Sequence, residues 1–187
     1  MSEKFRCFGK SQLYIEYHDH EWSVPVHDDQ KLFEMLILEG AQAGLSWETV
    51  LKKREAYRAA FDNFDPRKVA LYDEKKVSEL MANAGIIRNR LKINAAIVNA
   101  KLFLDIVKEH GSFEKFIWEY VDYTPIVGRR ERLEDVPITT PISDKISKDL
   151  KKLGFKFVGS TIIYSFMQAV GMVNDHLINC CVFEEKL

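Results

Sequence analysis

No stretch of this chain approaches the roughly 18 uninterrupted apolar residues that a bilayer span requires. Its start carries Ser2, Glu3, Lys4 and Arg6 with no apolar signal core behind them, so a soluble, cytoplasmic protein is expected. Cysteine is scarce: there are three, with Cys180 and Cys181 adjacent and Cys7 near the other terminus. That is a poor disulfide framework for a chain of 187 residues, so thiols or metal ligands are expected instead. Charge of one sign is lacking too. With 27 basic and 28 acidic residues the formal net charge is −1, which withholds the basic excess that favours nucleic-acid binding. Any polyanion-binding face must therefore be local. Two runs qualify, Lys145, Lys148, Lys151, Lys152, Lys156 and Arg88, Arg90, Lys92, although each alone reads more readily as a solvated helix face.

What is present is apolar content, 47% of residues, at helical rather than alternating spacing, as in Leu32, Phe33, Leu36, Ile37 and in Val50, Leu51, Tyr57, Phe61. The expected class is all-α, as one compact domain over residues 1–187 or two small helical lobes sharing an interface. Asp28, Ser46, Asp65 before Pro66, and Asp73 are expected to open successive helices. A long amphipathic helix should run from about Asn89 to His110, stop at Gly111, and be followed by one capped by Ser112. Periodicity lapses from Asp122 to Thr140, where Pro125 and Pro137 indicate a loop long enough to hide a short helix. There is no internal repeat.

Beyond that loop, Ser143 to Leu153 and Ser160 to Val170 read as two helices joined by Gly154-Phe155-Lys156-Phe157-Val158-Gly159. This is a helix-hairpin-helix pattern over about 143–170. Its glycines permit a sharp turn, and the second helix starts with exposed N–H groups where a phosphate could sit beside Lys152, Lys156 and Gly159. Such a device would hold duplex DNA by its backbone without reading sequence, but a helical hairpin with glycines is also common as plain structure.

His176 and Cys180 are four apart, so if Asp175 caps a short C-terminal helix, both side chains leave one face. Cys7 and His18 could complete a tetrahedral zinc set, with ordinary buried cysteines and histidines as the alternative. Four protein ligands leave no open position, so such a zinc would staple the termini (about 7–18 and 176–180) rather than activate water. His20, His27 and His110 read as surface residues, and Cys181 as a thiol outside the set. Glu39 ends an apolar helix directly before a small-residue turn, where partial burial would raise its pKa unless a donor or cation compensates. An exposed helix-end Glu is the plainer reading. Tyr17, Trp22 and Trp47 could line a slot for a planar base, or belong to the core.

Taken together these residues resemble the bacterial DNA-3-methyladenine glycosylase I family of the helix-hairpin-helix glycosylase superfamily. The resemblance covers nearly the whole chain. It rests on Leu13-Tyr14-Ile15-Glu16-Tyr17-His18-Asp19-His20-Glu21-Trp22, Ala43-Gly44-Leu45-Ser46-Trp47, Gly85-Ile86-Ile87-Arg88, the hairpin turn 154–159, and Asn174-Asp175-His176. It implies one structural zinc per chain held by Cys7, His18, His176 and Cys180. It further implies Glu39 as the carboxylate meeting the base, Tyr17 and Trp47 as aromatic walls, and Trp22 nearby. Three departures stand out: the order Cys7-Phe8-Gly9 leaves the N-terminal pocket wall undefined, Ala41 replaces a polar residue, and Leu91 stands where glycine is usual.

The implied chemistry is excision of 3-methyladenine from double-stranded DNA by a monomer. A flipped, cationic base would lie between Tyr17 and Trp47, and Leu45 would fill the gap it leaves unless it is a core leucine. No lysine stands in the hairpin where lyase-active relatives keep theirs, so strand cleavage through a Schiff base is not expected. Asp175, near the region where many relatives place a catalytic Asp, reads more readily as an orienter of a zinc ligand or a helix cap. Two rivals remain: a non-catalytic module that binds damaged DNA, and a helical hydrolase of free nucleosides, which would have no use for the hairpin.

Overall fold

Capping side chains decide where most helices begin in the computed structural model, which describes residues 5–184; Ser2, Glu3 and Lys4 lie outside the described residues. The helices are α1 (Gln12–His20), α2 (Asp29–Gln42), α3 (Trp47–Ala60), α4 (Pro66–Val69), α5 (Glu74–Ala82), α6 (Arg90–His110), α7 (Phe113–Trp118), α8 (Pro141–Leu153) and α9 (Ser160–Ala169). Asp28, Ser46, Asp65, Asp73, Asn89 and Ser112 each accept a hydrogen bond from a backbone N–H in the first turn of the helix they precede. Gly111 closes α6 in the left-handed conformation, at φ 88°.

Helix α2 is the axis of the fold. Every residue from Leu32 to Ala41 is buried, and it packs against α3, α6, α7 and α9. One apolar core runs through these contacts, with Phe33, Leu36, Phe103, Ile163 and Met167 at 1% exposure or less. Truncating Leu36 to alanine there would cost about 2 to 5 kcal/mol through lost transfer energy and the cavity left behind. A second, small cluster of Cys7, Leu177, Cys180, Val182 and Phe183 joins the two ends of the chain.

The structure differs from the sequence expectations in four places. Helix α1 had not been anticipated. Helix α8 starts two residues early, because Thr140 rather than a later residue is its cap and Ser143 is the reciprocal partner in a capping box. The loop from 122 to 140 holds a single 3-10 turn (Leu133–Asp135) and a short strand, β1 (Ile126–Val127). Among the described residues the helix expected after Asp175 is absent. Residues after α9 instead extend as β2 (Val173–Asn174), parallel to β1, with a further bridge between Arg130 and Leu177. Asp175 therefore caps nothing: its buried carboxylate accepts hydrogen bonds from the Tyr164 hydroxyl and from Gln168 Nε2. Among the described residues no helix is long and apolar enough to cross a membrane.

Candidate functional site

The strand pairing of β1 with β2 delivers His176 and Cys180 to α1 and the segment before it. Cys7, His18, His176 and Cys180 are all buried, and their candidate ligand atoms lie within 4.8 Å of one another. Cys180 Sγ is 3.4 Å from His18 Nε2 and 3.5 Å from His176 Nδ1, and Cys7 Sγ is 3.8 Å from His176 Nδ1. A tetrahedral ion with metal–sulfur bonds of about 2.3 Å and metal–nitrogen bonds of about 2.05 Å sets sulfur–nitrogen edges near 3.6 Å, so the spacing suits a metal. The surroundings suit one as well. His18 Nδ1 donates to Asp19 at 2.7 Å, fixing the tautomer that presents Nε2 to the sulfurs. Arg6 grips the same carboxylate through two nitrogens and, as the main cause, holds its pKa down to about 2. The Leu177 N–H donates to Cys7 Sγ at 3.2 Å. Without a cation the neighbouring sulfur of Cys180 and burial push the Cys7 thiol up, since two thiolates in contact repel. The group could hold a metal ion, and no ligand position would remain open.

On the other side of α1 a cleft of about 240 Å³ is lined by Phe8, Tyr14, Tyr17, Trp22, Glu39 and Trp47, with Gln42, Ser165 and Gln168 at its polar side. Tyr17 and Trp47 adjoin each other, with ring centroids 5.5 Å apart and planes tilted by 50°. Trp22 stands edge-on to His176 at 4.6 Å and to Phe8 at 4.8 Å, so the pocket wall is also the packing around the metal-ligand group. Glu39 is the unusual member. As a residue it is only 4% exposed, and its carboxyl has no hydrogen-bond or ion-pair partner among the described residues and is pushed up to about 8 by burial. The indole Nε1 of Trp47 is likewise buried without a partner. Buried polar groups are normally satisfied, and leaving one unmade costs about 1 to 3 kcal/mol. An acceptor and a donor left open in one aromatic slot describe the outline of a planar polar ligand.

Against known proteins, the profile of the methyladenine glycosylase family matches residues 7–184. The chain is 55% identical to DNA-3-methyladenine glycosylase 1 of Escherichia coli (strain K12) over 95% of its length and 96% of that protein's. It is 50% identical to the DNA-3-methyladenine glycosylase of Haemophilus influenzae, over 94% and 96% of the two chains. The chain belongs to the methyladenine glycosylase family. It is a glycosylase, a hydrolase of N-glycosidic bonds, which sets aside the non-catalytic rival. A crystal structure of a 3-methyladenine DNA glycosylase I superposes on it with a TM-score of 0.92 at 53% identity, covering 95% of this chain and 98% of that one. A single-residue variant of another such glycosylase, solved in complex with 3-methyladenine, superposes with a TM-score of 0.90 at 40% identity, over 92% and 93% of the two chains.

On the outer surface of this glycosylase two loops lie next to the pocket-bearing elements. Leu45, on the turn between α2 and α3, is 39% exposed and not a core residue. In the turn from α8 to α9, Gly154 takes φ 104°, which a side chain resists, and Phe157 takes φ 54°. Gly159 does not use a left-handed conformation; it caps α9 at φ −61°, and a Cβ there would meet nothing within 4 Å. Its smallness leaves backbone open to whatever approaches. On α8 and the hairpin turn, Lys148, Lys151, Lys152 and Lys156 are exposed, while Lys145 is engaged by Asp149. The second basic run does not form a patch: Arg90 pairs with Glu74, and Lys92 turns inward onto backbone carbonyls.

Two segments supply pocket residues that had not been assigned to it from the sequence: Phe8 and Tyr14 form the undefined N-terminal wall, and Ser165 and Gln168 come from α9. Gln168 is the residue whose amide Asp175 holds, at 2.9 Å. A polar residue on the inner face of an otherwise apolar helix was the available signal. Asp175 accepts from Tyr164 and Gln168 instead, and the carboxylate that orients one of the candidate metal-binding histidines, His18, is Asp19.

Proposed function

We propose that the chain excises 3-methyladenine from double-stranded DNA as a monofunctional glycosylase, extruding the damaged nucleotide into the pocket walled by Tyr17 and Trp47. The observation that carries this reading is the Glu39 carboxyl, buried and unpartnered in an aromatic slot, where its pKa is pushed up to about 8. 3-Methyladenine in DNA is cationic. Such a base supplies the compensating charge and donors that Glu39 lacks, and stacks favourably on electron-rich rings. Trp47 Nε1 is free to donate to a ring nitrogen or to a bridging water.

Cleavage then needs little acid catalysis. The glycosidic C–N bond breaks with its electron pair going to the base, which leaves neutral; the sugar develops oxocarbenium character; water adds its oxygen to the anomeric carbon and gives up a proton to solvent. Glu39 holds the base edge and, once ionised, its negative charge favours the positive charge that moves from base to sugar. Leu45 fills the space vacated in the helix. In the helix-hairpin-helix reading, the backbone N–H groups after Gly159 meet a phosphate, with Lys152 and Lys156 beside them. Asp144, bonded to Ser160 Oγ at 2.6 Å, is an acidic neighbour that keeps this contact from being purely basic.

The metal-ligand group fits Zn2+, one per chain, and when bound it supplies structural cross-linking of the termini and no chemistry at the base. Cys7, His18, His176 and Cys180 would hold it, with His18 oriented by Asp19, which Arg6 grips in turn. With this goes a helix-hairpin-helix glycosylase fold of two helical lobes, one domain over residues 1–187, acting as a cytoplasmic monomer. The test is a duplex carrying one 3-methyladenine. Incubation should leave an abasic strand that breaks only on treatment with alkali; breakage without alkali would contradict the monofunctional reading, and an alkali-stable strand would contradict excision.

A further inference from the structure

Lysine 92 and Asn99 lie seven residues apart in α6, on the helix face turned toward the protein. Neither belongs to the base pocket or to the metal-ligand group. Lys92 Nζ donates to Ala41 O at 2.8 Å, near the end of α2, and to Ala43 O at 2.7 Å, the residue just past that end, ahead of the turn that carries Leu45. A half-buried ammonium at that point satisfies acceptors that a helix end leaves open and neutralises its negative dipole end. Burial lowers its pKa, so the cation is held there against a desolvation cost. Asn99, 3% exposed, uses both ends of its amide on one residue of the hairpin: Nδ2 donates to Lys156 O at 2.9 Å, and Lys156 N–H donates to Oδ1 at 2.8 Å. The hairpin also touches the last turn of α2 directly. A Cβ on Gly40, in the last turn of α2, would sit 3.2 Å from Phe157 Cβ, so glycine lets the hairpin seat against α2. A narrow crevice of about 20 Å³ between them is lined by Gly40, Ala41, Lys92, Asn99 and Phe157.

We propose that Lys92 and Asn99 are positioning residues for duplex DNA: through α6 they hold the Leu45 turn and the 154–159 hairpin at one fixed separation. One duplex then meets wedge and phosphate site together. Both anchors act on backbone atoms, so they set where the loops are and contribute no contact to DNA themselves. Rigid preorganisation of two contact points raises affinity by removing the ordering cost at binding, with an effect that multiplies across the two points. The inference rests on the duplex reading given above.

The experiment compares the native chain with K92M, N99A, the double variant and K92R. Two affinities are read: that for a duplex containing an abasic-site analogue, by fluorescence anisotropy, and that for free 3-methyladenine, by tryptophan fluorescence. Each single change should weaken duplex binding about tenfold or more while free-base binding stays within about twofold. The double variant should be little worse than the weaker single, because either break already frees the spacing. K92R, which keeps a cation at the α2 end, should recover most of the loss. If K92M fails to fold, N99A carries the same comparison. Duplex affinity within about twofold of native in folded variants overturns the proposal, as does an equal loss of free-base binding, which would mark a general loosening. A native chain that binds free base but no duplex would instead overturn the duplex reading itself.

Discussion

Replacing Glu39 with glutamine should stabilise the ligand-free protein in a pH-dependent way while removing its ability to hold the base. The carboxyl stands at about 8 instead of its ordinary 4.5, with burial as the sole cause. Below pH 4.5 the group is protonated in both folded and unfolded chains and contributes nothing to the pH dependence. As the pH rises it ionises first in the unfolded chain, so the folded state loses stability steadily until about pH 8, above which the cost is constant. At 1.36 kcal/mol per pH unit the full cost is about 5 kcal/mol, an upper figure because water admitted to the open pocket would reduce it. Glutamine does not ionise. The melting temperature of E39Q relative to native should therefore be flat below pH 5, climb between pH 5 and 8, and level off at no more than about 10 to 20 °C, at roughly 2 to 4 °C per kcal/mol for a chain of this size. Thermal unfolding followed by circular dichroism over pH 4.5 to 9 measures the difference directly. A difference that does not change over that range would refute the reasoning, because it would mean that the carboxyl is already solvated or paired. The stability penalty is the physical form of the site's readiness for a cation.

Stripping the metal-ligand group with a chelator should remove a cross-link between residues 169 positions apart, worth about 5 kcal/mol by loop-entropy arguments, and C180S should do the same; a melting temperature unchanged by chelation would oppose the zinc assignment. Trp47→Phe keeps the aromatic wall but deletes the unpartnered indole donor, so free 3-methyladenine should bind about tenfold more weakly by fluorescence or calorimetric titration. G159A should fold normally, since φ is −61° and the space beyond is open, yet weaken duplex binding by obstructing the backbone; unchanged anisotropy-measured affinity would place the phosphate elsewhere. Charge removal in K152A/K156A should lower duplex affinity alike on damaged and undamaged DNA, and reduce the slope of log affinity against log salt by about two.

Much of the helical scaffold was legible in the sequence because it is built from local signals. Asp28, Ser46, Asp65, Asp73, Asn89 and Ser112 act as the caps their side chains suggest, and Gly111 ends α6. Helix α1 was not, because its inward residues are Tyr17 and His18 and serve the pocket and the metal-ligand group rather than an apolar stripe. The false helix after Asp175 followed from an aspartate that reads as a cap; partners from α9 claim its side chain and β1 claims the neighbouring backbone, neither of which is local. Lys92 misled for a related reason. A lysine near two arginines reads as a surface patch until α2 ends beneath it. In the site, Cys7, His18, His176 and Cys180 came together as their chemistry suggested. Phe8, Tyr14, Ser165 and Gln168 could not be found by spacing, since the pocket draws them from two distant segments.

The most direct test of the account is chromatographic measurement of the free bases released when purified native protein and E39Q are incubated with methylated duplex DNA. The account predicts that the native chain releases 3-methyladenine with little 7-methylguanine, and that E39Q loses this release while retaining its affinity for duplex. Undiminished release by E39Q, or duplex binding by the native chain with no base released, would contradict it.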